Sequence, residues 1–317
     1  MRSEPKVKRV GRLEGPVKFC TFSLPMEGSR SRRAGLVADE TVFEIEGSKP
    51  LEQVIAEGKW RDVVTKKAYG LADVVLNAPV SRPGKILAAI VNTNGMLGGS
   101  DVALDRPRID MKAPSTVVGP GTAIRASPGG IRPEVELAAI VGKRISGATE
   151  AEAAASIFGY TILNDVTAPA DSRADAYEAY RRDRSTGEIK KTTMRGPLFR
   201  SKNHDTFCPM GPWVVTPDEF DASQGHVMST FFDGGLVQEG STSEYIFGPE
   251  KLASYLSGFL TLEPGDVVSC GSVGWTKEAL GELDPTEFVL SAAGGTLQLE
   301  IEDLGSLNNP VTPAPGV

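Results

Sequence analysis

The feature that most constrains the fold is the density of strand-like segments after residue 133. Each segment is rich in β-branched and apolar residues and is bounded by glycine, proline or charged turn residues. The segments are EVELAAIVGK (134–143), GYTILNDVT (159–167), GPWVVT (211–216), HVMSTFFDGGLVQEG (226–240), DVVSCGSVG (266–274) and TLQLEIEDLG (296–305). Two helical stretches, 149–158 and 250–260, do not alternate regularly with them. The pattern predicts a mostly β core with some α+β character and argues against a doubly wound parallel sheet.

The first eighty residues predict a smaller unit. KFCTFSL (18–24), RAGLVAD (33–39) and TVFEIEG (41–47) are strand-like, and a helix is expected after them, with Ser48 as its N-cap. The turn-rich sequence PVSRPG at 79–84 suggests a boundary. We therefore expect a small N-terminal domain over 1–83, a catalytic domain over 84–311 and an extended tail over 312–317.

The stretch that follows the apolar run KILAAIVN (85–92) is punctuated by glycine and proline as far as Pro133. Long irregular segments inside compact domains are often functional, so this stretch is a candidate lid. A second unusual segment, 171–202, is dense in charges of both signs. It is expected either to form a solvated surface helix followed by a loop, or to cover a pocket or a partner subunit.

Composition excludes several classes of function. The formal net charge is −7, which argues against a nucleic-acid partner. Three widely spaced cysteines form no disulfide framework or zinc pattern, and two histidines cannot build a multi-histidine metal site. No apolar run is long enough to span a membrane, and the charged first residues do not resemble a secretory signal. A cytoplasmic protein is expected.

Three acidic residues form the most informative set. Glu134 and Glu136 are two apart in a predicted strand, so both carboxylates project from one face. Asp165 stands where another apolar strand ends. Like charges on a half-buried strand repel, and a hard cation, Mg²⁺, Mn²⁺ or Ca²⁺, is the simplest compensation. The alternatives are a solvated strand edge for the glutamates and a simple turn residue for Asp165.

Three further residues are candidates for catalysis. Lys202 precedes a strand, and beside a net negative centre its ammonium group would stabilise an enolate or a carboxylate. His204 is a candidate base near neutral pH. Thr242 carries no signal of its own. The alternatives are a solvated loop lysine and a packed or surface histidine.

In their order along the chain, several blocks resemble the fumarylacetoacetate hydrolase family. They are MKAPSTVVGPG (111–121), PEVELAAIVGK (133–143), GYTILNDVTA (159–168), KNHDTFCPMGPWVVTPDE (202–219), VQEGSTSEYIF (237–247), LEPGDVVSCGSVG (262–274) and IEDLGSLNNPV (301–311). The resemblance implies a β-sandwich roll around a pseudo-barrel, a small N-terminal domain and a homodimer.

The resemblance also implies roles for single residues. It places the family's metal ligands on Glu134, Glu136 and Asp165, its active-site lysine on Lys202, and its threonine near the substrate carboxylate on Thr242. Lys112 corresponds to a lysine common in the family, to which no role is assigned.

Two departures bear on the reaction. Hydrolytic relatives carry a histidine–glutamate dyad in a lid, whereas this chain reads NTNGMLGGSD there, with Met96 at the histidine's place. Pro169 replaces an arginine of the family pattern. Without the dyad, water attack loses a general base, which contributes about 10²–10⁴-fold. His204 or a group from 171–202 is the only substitute we can name.

The expected activity is that of a divalent-metal enzyme acting on a small 2-oxo acid or diketo acid through an enolate. Hydrolysis of a C–C bond in a ketonic substrate is placed first because it is the family's commonest reaction. Isomerase, decarboxylase or dehydratase activity at the same site is the first alternative. A catalytically inactive member that binds a metal or metabolite is the second.

Overall fold

The computed structural model describes residues 18–27, 31–58, 60, 65–96, 104–285, 287–290 and 293–314. The three predicted strands and the one predicted helix of the first eighty residues are present. The strands are β1 (Lys18–Ser23), β2 (Arg33–Ala38), β3 (Thr41–Ile45), β4 (Thr65–Gly70) and β5 (Val75–Asn77), of which β4 and β5 were not predicted. Ser48 is not the N-cap of the following helix, which begins one residue after Pro50, and the Ser48 hydroxyl instead donates to Glu44 Oε1 at 2.8 Å.

The rest of the described chain is dominated by strands, as expected. They are β6 (Ile86–Ala89), β7 (Ile109–Lys112), β8 (Val117–Val118), β9 (Ile124–Arg125), β10 (Val135–Val141), β11 (Ile157–Asn164), β12 (Tyr177–Arg182), β13 (Ile189–Met194), β14 (Cys208–Val215), β15 (Val227–Phe232), β16 (Gly235–Ser241), β17 (Val267–Ser272), β18 (Gly295–Ile301) and β19 (Gly305–Thr312). The stretch 104–133 therefore contains short strands and is not wholly irregular. The predicted tail begins inside β19, and residues 315–317 lie outside the described part.

Helices are short and few. The α-helices are α1 (Leu51–Glu57), α2 (Glu150–Ala154), α3 (Pro169–Ala174), α4 (Phe199–Lys202), α5 (Pro249–Ser257) and α6 (Lys277–Leu280), with 3₁₀ turns at Leu71–Asp73, Pro114–Thr116 and Thr242–Glu244. Within the described residues, no helix is both long and apolar enough to cross a bilayer.

The strands form one large sheet, one smaller sheet and a separate hairpin. The large sheet has twelve strands with the main order β4-β3-β2-β1-β14-β11-β10-β17-β6-β7, and β5 and β8 attach to β1 and β14. The smaller sheet has the order β16-β15-β18-β19-β9. Because β1 pairs with β14, the N-terminal strands extend the large sheet. The domain division after residue 83 stays a prediction.

Strand β10 lies at the centre of the large sheet and is buried on both faces. Leu137 and Ala139 belong to the core shared with the smaller sheet. Ala138 and Ile140 belong to a second core, which also contains side chains of β1, β2 and α1. Even-numbered residues of β10 thus face the second core, and Glu134 and Glu136 are the residues that precede Ala138 on that face.

The segment 171–202 does not form the predicted surface helix. After the short helix α3, strands β12 and β13 pair from Tyr177–Met194 to Arg182–Ile189 as a two-stranded hairpin. Almost all of its side chains are exposed. Tyr177, Tyr180 and Ile189 are aromatic or β-branched residues, which are enriched in strands. We call residues 177–194 the arm.

Candidate active site

The pairing of strands β10 and β11 brings Glu134 and Asp165 together. Val135 pairs with Asn164, and beyond this pair the backbone N–H of Asp165 donates to the carbonyl of Glu134 at 3.0 Å. Glu134 and Asp165 are therefore cross-strand neighbours, and such neighbours share a face of the sheet. The Asn164 side chain also accepts from the backbone N–H of Glu134 at 3.0 Å, which holds the strand ends in register.

The three predicted metal ligands converge. Glu134, Glu136 and Asp165 are 7%, 2% and 4% exposed, and one carboxylate oxygen of each lies within 4.8 Å of the others. Glu136 is held from the neighbouring strand, where it accepts from the Ser269 hydroxyl at 2.5 Å and from the Gly271 backbone N–H at 3.3 Å. The solvated strand edge considered for the glutamates is wrong, because all three acids are buried.

Two lysines contact this acidic group. Lys202, at the end of α4, donates from Nζ to Glu134 Oε2 and to Asp165 Oδ2, both at 2.6 Å. Lys112, at the end of β7, places its Nζ 2.6 Å from Asp165 Oδ1. The alternative of a solvated Lys202 is therefore wrong, since its side chain is 9% exposed.

Lys112 also hydrogen-bonds to the backbone around the site. Its Nζ also donates to the backbone carbonyls of Lys202 at 2.7 Å and of Val166 at 3.2 Å. One buried ammonium group thus connects the ends of β7, β11 and α4. Sequence reasoning left Lys112 without a role, and only the family resemblance drew attention to it.

The electrostatics follow from burial and neighbouring charge. Burial, with the charges of Asp165 and Glu134, raises the pKa of Glu136 well above its usual value. Burial opposes ionisation of Asp165, but the ammonium groups of Lys112 and Lys202 hold its pKa below the usual range. Burial lowers the pKa of Lys202, and the charges of Asp165 and Glu134 outweigh this and raise it. Both Asp165 and Lys202 are therefore charged at neutral pH.

The donor set fits a hard divalent cation. It consists of carboxylate oxygens alone, which Mg²⁺ and Mn²⁺ accept readily. The formal charge of the three ionised acids and the two ammonium groups is negative, but it is zero while Glu136 is protonated. A divalent cation is therefore favoured electrostatically by the ionised form of Glu136. A raised pKa at Glu136 is expected for a ligand that gains its charge when a cation binds.

The other candidates occupy different surroundings. The Thr242 hydroxyl donates to the Gln224 carbonyl at 2.6 Å and accepts from the His226 backbone N–H at 3.1 Å. These two hydrogen bonds connect the 3₁₀ turn Thr242–Glu244 to the loop that precedes β15. The His204 ring, packed on Phe207, lies 2.5 Å from Asp171 Oδ2 through Nε2. Neither side chain has a described contact with the three acids.

The candidate lid is described only in part. Residues 93–96 form a turn in which the Thr93 hydroxyl accepts from the Met96 backbone N–H at 3.3 Å. Residues 97–103, the remainder of NTNGMLGGSD and its continuation, lie outside the described residues. Met96 itself offers no proton-transfer group.

The profile of the fumarylacetoacetate (FAA) hydrolase C-terminal domain matches residues 89–312, more than half of the chain. The chain belongs to the fumarylacetoacetate hydrolase family. Its mostly β fold with few helices is that of the family.

Several relatives match over nearly the full chain. A 2,4-didehydro-3-deoxy-L-rhamnonate hydrolase of Sphingomonas sp. (strain SKA58) is 30% identical over 310 residues, covering 93% of this chain and 96% of the relative. The mitochondrial oxaloacetate tautomerase FAHD2B of Bos taurus is 30% identical, with 90% and 87% covered. The structure of a fumarylacetoacetate hydrolase from Exiguobacterium antarcticum superposes with a TM-score of 0.72 at 25% identity, over 94% of this chain and 99% of that one. The chain is thus similar to family enzymes with different reactions.

Proposed function

We propose that this protein is a divalent-metal enzyme that acts on a small 2-oxo acid or 1,3-dicarbonyl acid through an enolate. The observation that carries the proposal is the buried group of Glu134, Glu136 and Asp165. The Lys202 ammonium group donates hydrogen bonds to two of these acids. Stability does not require such an arrangement, since buried ion groups seldom exceed apolar packing in stabilisation. Perturbed ionisable groups gathered at one place are typical of active sites.

Each residue has a proposed task. Glu134, Glu136 and Asp165 would hold Mg²⁺ or Mn²⁺, and the cation would supply Lewis acidity to adjacent substrate oxygens. Lys202, cationic at neutral pH, would stabilise the negative charge that develops on the enolate oxygen. Lys112 would position both Asp165 and Lys202, and Thr242 would orient the substrate carboxylate, a role that rests on the family resemblance alone.

Hydrolysis of a C–C bond is the reaction we place first, because one relative is a hydrolase. Tautomerisation or isomerisation is the second candidate, supported by the tautomerase relative and by Met96 at the place of the lid histidine. Tautomerisation needs an enolate and proton transfer but no attacking water. Decarboxylation and dehydration pass through the same enolate. A homodimer stays a prediction from the resemblance, and a cytoplasmic location stays a prediction from the composition.

The test combines turnover with metal binding. Metal-free protein is supplied with Mn²⁺ or Mg²⁺ and given acylpyruvates, oxaloacetate and 2-oxo-3-deoxy acids, and products are identified by mass and by ultraviolet absorbance. We expect turnover that a chelator abolishes. Tight metal binding without turnover on the whole panel would instead identify an inactive family member and contradict the proposed activity.

Two variants separate the roles within the site. Glu136→Gln should weaken Mn²⁺ binding, measured by calorimetry, by more than about tenfold, because a ligand is lost. Lys202→Met should retain Mn²⁺ binding, because it removes an ammonium group that competes with the cation for the same carboxylates. It should nevertheless lose about 10²–10⁴-fold in kcat. Glu178→Gln on the exposed arm is the matched control and should change neither. Full activity of Lys202→Met would refute the role of the lysine.

A further inference from the structure

The pairing of β10 with β17 is interrupted beside Glu136. Glu136 itself pairs with Ser272 of β17. The next pair joins Ala138 to Ser269, so β17 advances by three residues where β10 advances by two. An extra residue on one strand is a β-bulge, and Gly271 within it has a φ of 90°, a left-handed conformation that favours glycine. A bulge disrupts the ladder locally and leaves backbone groups without their usual cross-strand partners.

The hydroxyl of Tyr245 lies in this interruption. It accepts from the Leu137 backbone N–H at 3.3 Å and donates to the Gly271 carbonyl at 3.2 Å. Met228 Sδ is within reach of the same proton, at 3.4 Å, but a thioether is a weaker acceptor than a carbonyl oxygen. One hydroxyl thus satisfies a backbone donor of β10 and a backbone acceptor of β17.

The same bulge directs two donors of β17 toward Glu136. The Gly271 N–H and the Ser269 hydroxyl both donate to Glu136 Oε2, at 3.3 and 2.5 Å. Gly271 therefore connects two side chains, because its carbonyl accepts from Tyr245 and its N–H donates to Glu136. Bulges next to active sites commonly re-aim a side chain. The position of the Glu136 carboxylate consequently depends on the conformation of the bulge.

Asn92 holds the backbone around Tyr245 in place. Its side-chain amide accepts from the Phe247 N–H at 3.1 Å and donates to the carbonyls of Phe247 and Cys270, each at 2.8 Å. The Ile246 N–H donates to the Asn92 carbonyl at 2.9 Å. The segment that carries Tyr245 is therefore attached to β17 independently of the hydroxyl, so removal of the hydroxyl alone should leave the ring in place.

We propose that Tyr245 is a positioning residue for the cation site, and that its hydroxyl fixes the bulge that holds the Glu136 carboxylate ready for a cation. This inference rests on the proposed function. Hydrogen-bond partners that orient a metal ligand typically contribute about 10–100-fold to metal affinity. Tyr245 acts on Glu136 through Gly271, so an effect at the lower end of this range is expected.

The test measures Mn²⁺ affinity by calorimetry and stability by urea unfolding of the metal-free protein. Tyr245→Phe keeps the ring, removes the oxygen and should weaken Mn²⁺ binding by about tenfold. Tyr69→Phe is the matched control, because the Tyr69 hydroxyl donates to Glu44 Oε2 at 2.9 Å among the N-terminal strands. It should also lower the urea midpoint but leave Mn²⁺ affinity unchanged, as any tyrosine with a merely structural role would.

A double-mutant cycle shows whether Tyr245 acts through Glu136. In the Glu136→Gln background, Tyr245→Phe should change Mn²⁺ affinity by less than about twofold, because the carboxylate that it positions is already lost. An equal loss in both backgrounds, or wild-type affinity in Tyr245→Phe, would overturn the positioning role. Absence of Mn²⁺ binding by the wild-type protein would instead refute the proposed function, and this inference with it.

Discussion

Glu136 shows at the level of one residue how this chain tolerates a charge in its core. The side chain is 2% exposed, and burial alone disfavours its ionised form. Ser269 and Gly271 donate to one of its oxygens, and Lys202 supplies the nearest positive charge to the group. Sequence reasoning found Glu136 because two acids at strand spacing before an apolar run are costly without a partner. It could not find Ser269 or Gly271, which come from a strand 133 or more residues away in sequence.

Glu52 is a partly buried carboxyl whose burial outweighs the backbone hydrogen bonds from Glu52 and Ser81 and the charges of Arg32 and Arg82. Its Oε2 atom has no hydrogen-bond partner, and burial raises the pKa of the group. The folded protein therefore holds this proton more tightly than the unfolded chain does. Glu52 thus destabilises the fold increasingly as pH rises from the unfolded pKa through the higher folded pKa.

Glu52→Gln should accordingly raise the free energy of unfolding at pH 8 by roughly 1 kcal/mol or less, and should have no such benefit at pH 4. Urea unfolding at both pH values measures the difference. Glu57→Gln on the same helix, an exposed side chain paired with Lys49, is the control and should not be stabilising. Stabilisation by Glu52→Gln that is equal at pH 4 and pH 8 would show that ionisation is not its cause.

Gln238 on β16 connects three elements around the site strand. Its Oε1 accepts from the Val135 backbone N–H at 3.2 Å and from the Thr230 hydroxyl at 2.9 Å. Its Nε2 donates to the Val273 carbonyl at 2.9 Å and to the Ser272 hydroxyl at 3.1 Å. The residue is fully buried, and it joins the smaller sheet to the backbone between Glu134 and Glu136.

Gln238→Leu should lower the free energy of unfolding by about 2–4 kcal/mol, since it leaves several buried polar groups without partners. It should also weaken Mn²⁺ binding, because Val135 loses the contact that holds the strand between two proposed ligands. Urea unfolding and calorimetry measure the two effects. Gln298→Leu on β18, where the amide contacts only Glu300 among described partners, is the control and should cost less than about 0.5 kcal/mol. Comparable losses in the two variants would contradict the role of Gln238.

The arm illustrates how little an element's charge pattern says about its type. One of the two expectations for residues 171–202 was a solvated surface helix followed by a loop, because charges of both signs are common on solvated helices. The chain pairs as a hairpin instead, with Asp183 accepting from the backbone and hydroxyl of Ser185 at 2.8 and 2.6 Å in the turn. Strand pairing of exposed residues depends on the turn and on cross-strand partners, and the charge pattern reports neither.

At the scale of the molecule, the second core contains side chains from both sides of the predicted domain boundary at residue 83. Phe19, Leu36 and Leu51 share a buried cluster with Ile140 and Leu163, on the face of β10 that carries the glutamates. Burial of such side chains contributes roughly 1.5–3 kcal/mol each. The parts on either side of residue 83 should therefore unfold together.

A chain that lacks residues 1–83 should consequently fail to unfold cooperatively, because the second core loses one wall. Thermal unfolding followed by near-ultraviolet circular dichroism tests this. Replacement of arm residues 178–193 by a short glycine–serine linker is the control, and it should retain a cooperative transition because those side chains are exposed. A cooperative, native-like transition in the truncated chain would show that residues 84–317 fold independently of the N-terminal unit and would contradict this prediction.

The sequence by itself determined the mostly β class, the family and the acids at 134, 136 and 165, because strand periodicity and buried charge are local properties that leave local signals. Only the tertiary structure decided which groups meet those acids. Lys112, Ser269 and Gln238 come from strands far apart in the chain, and the pairing of strands across a sheet has no local signature.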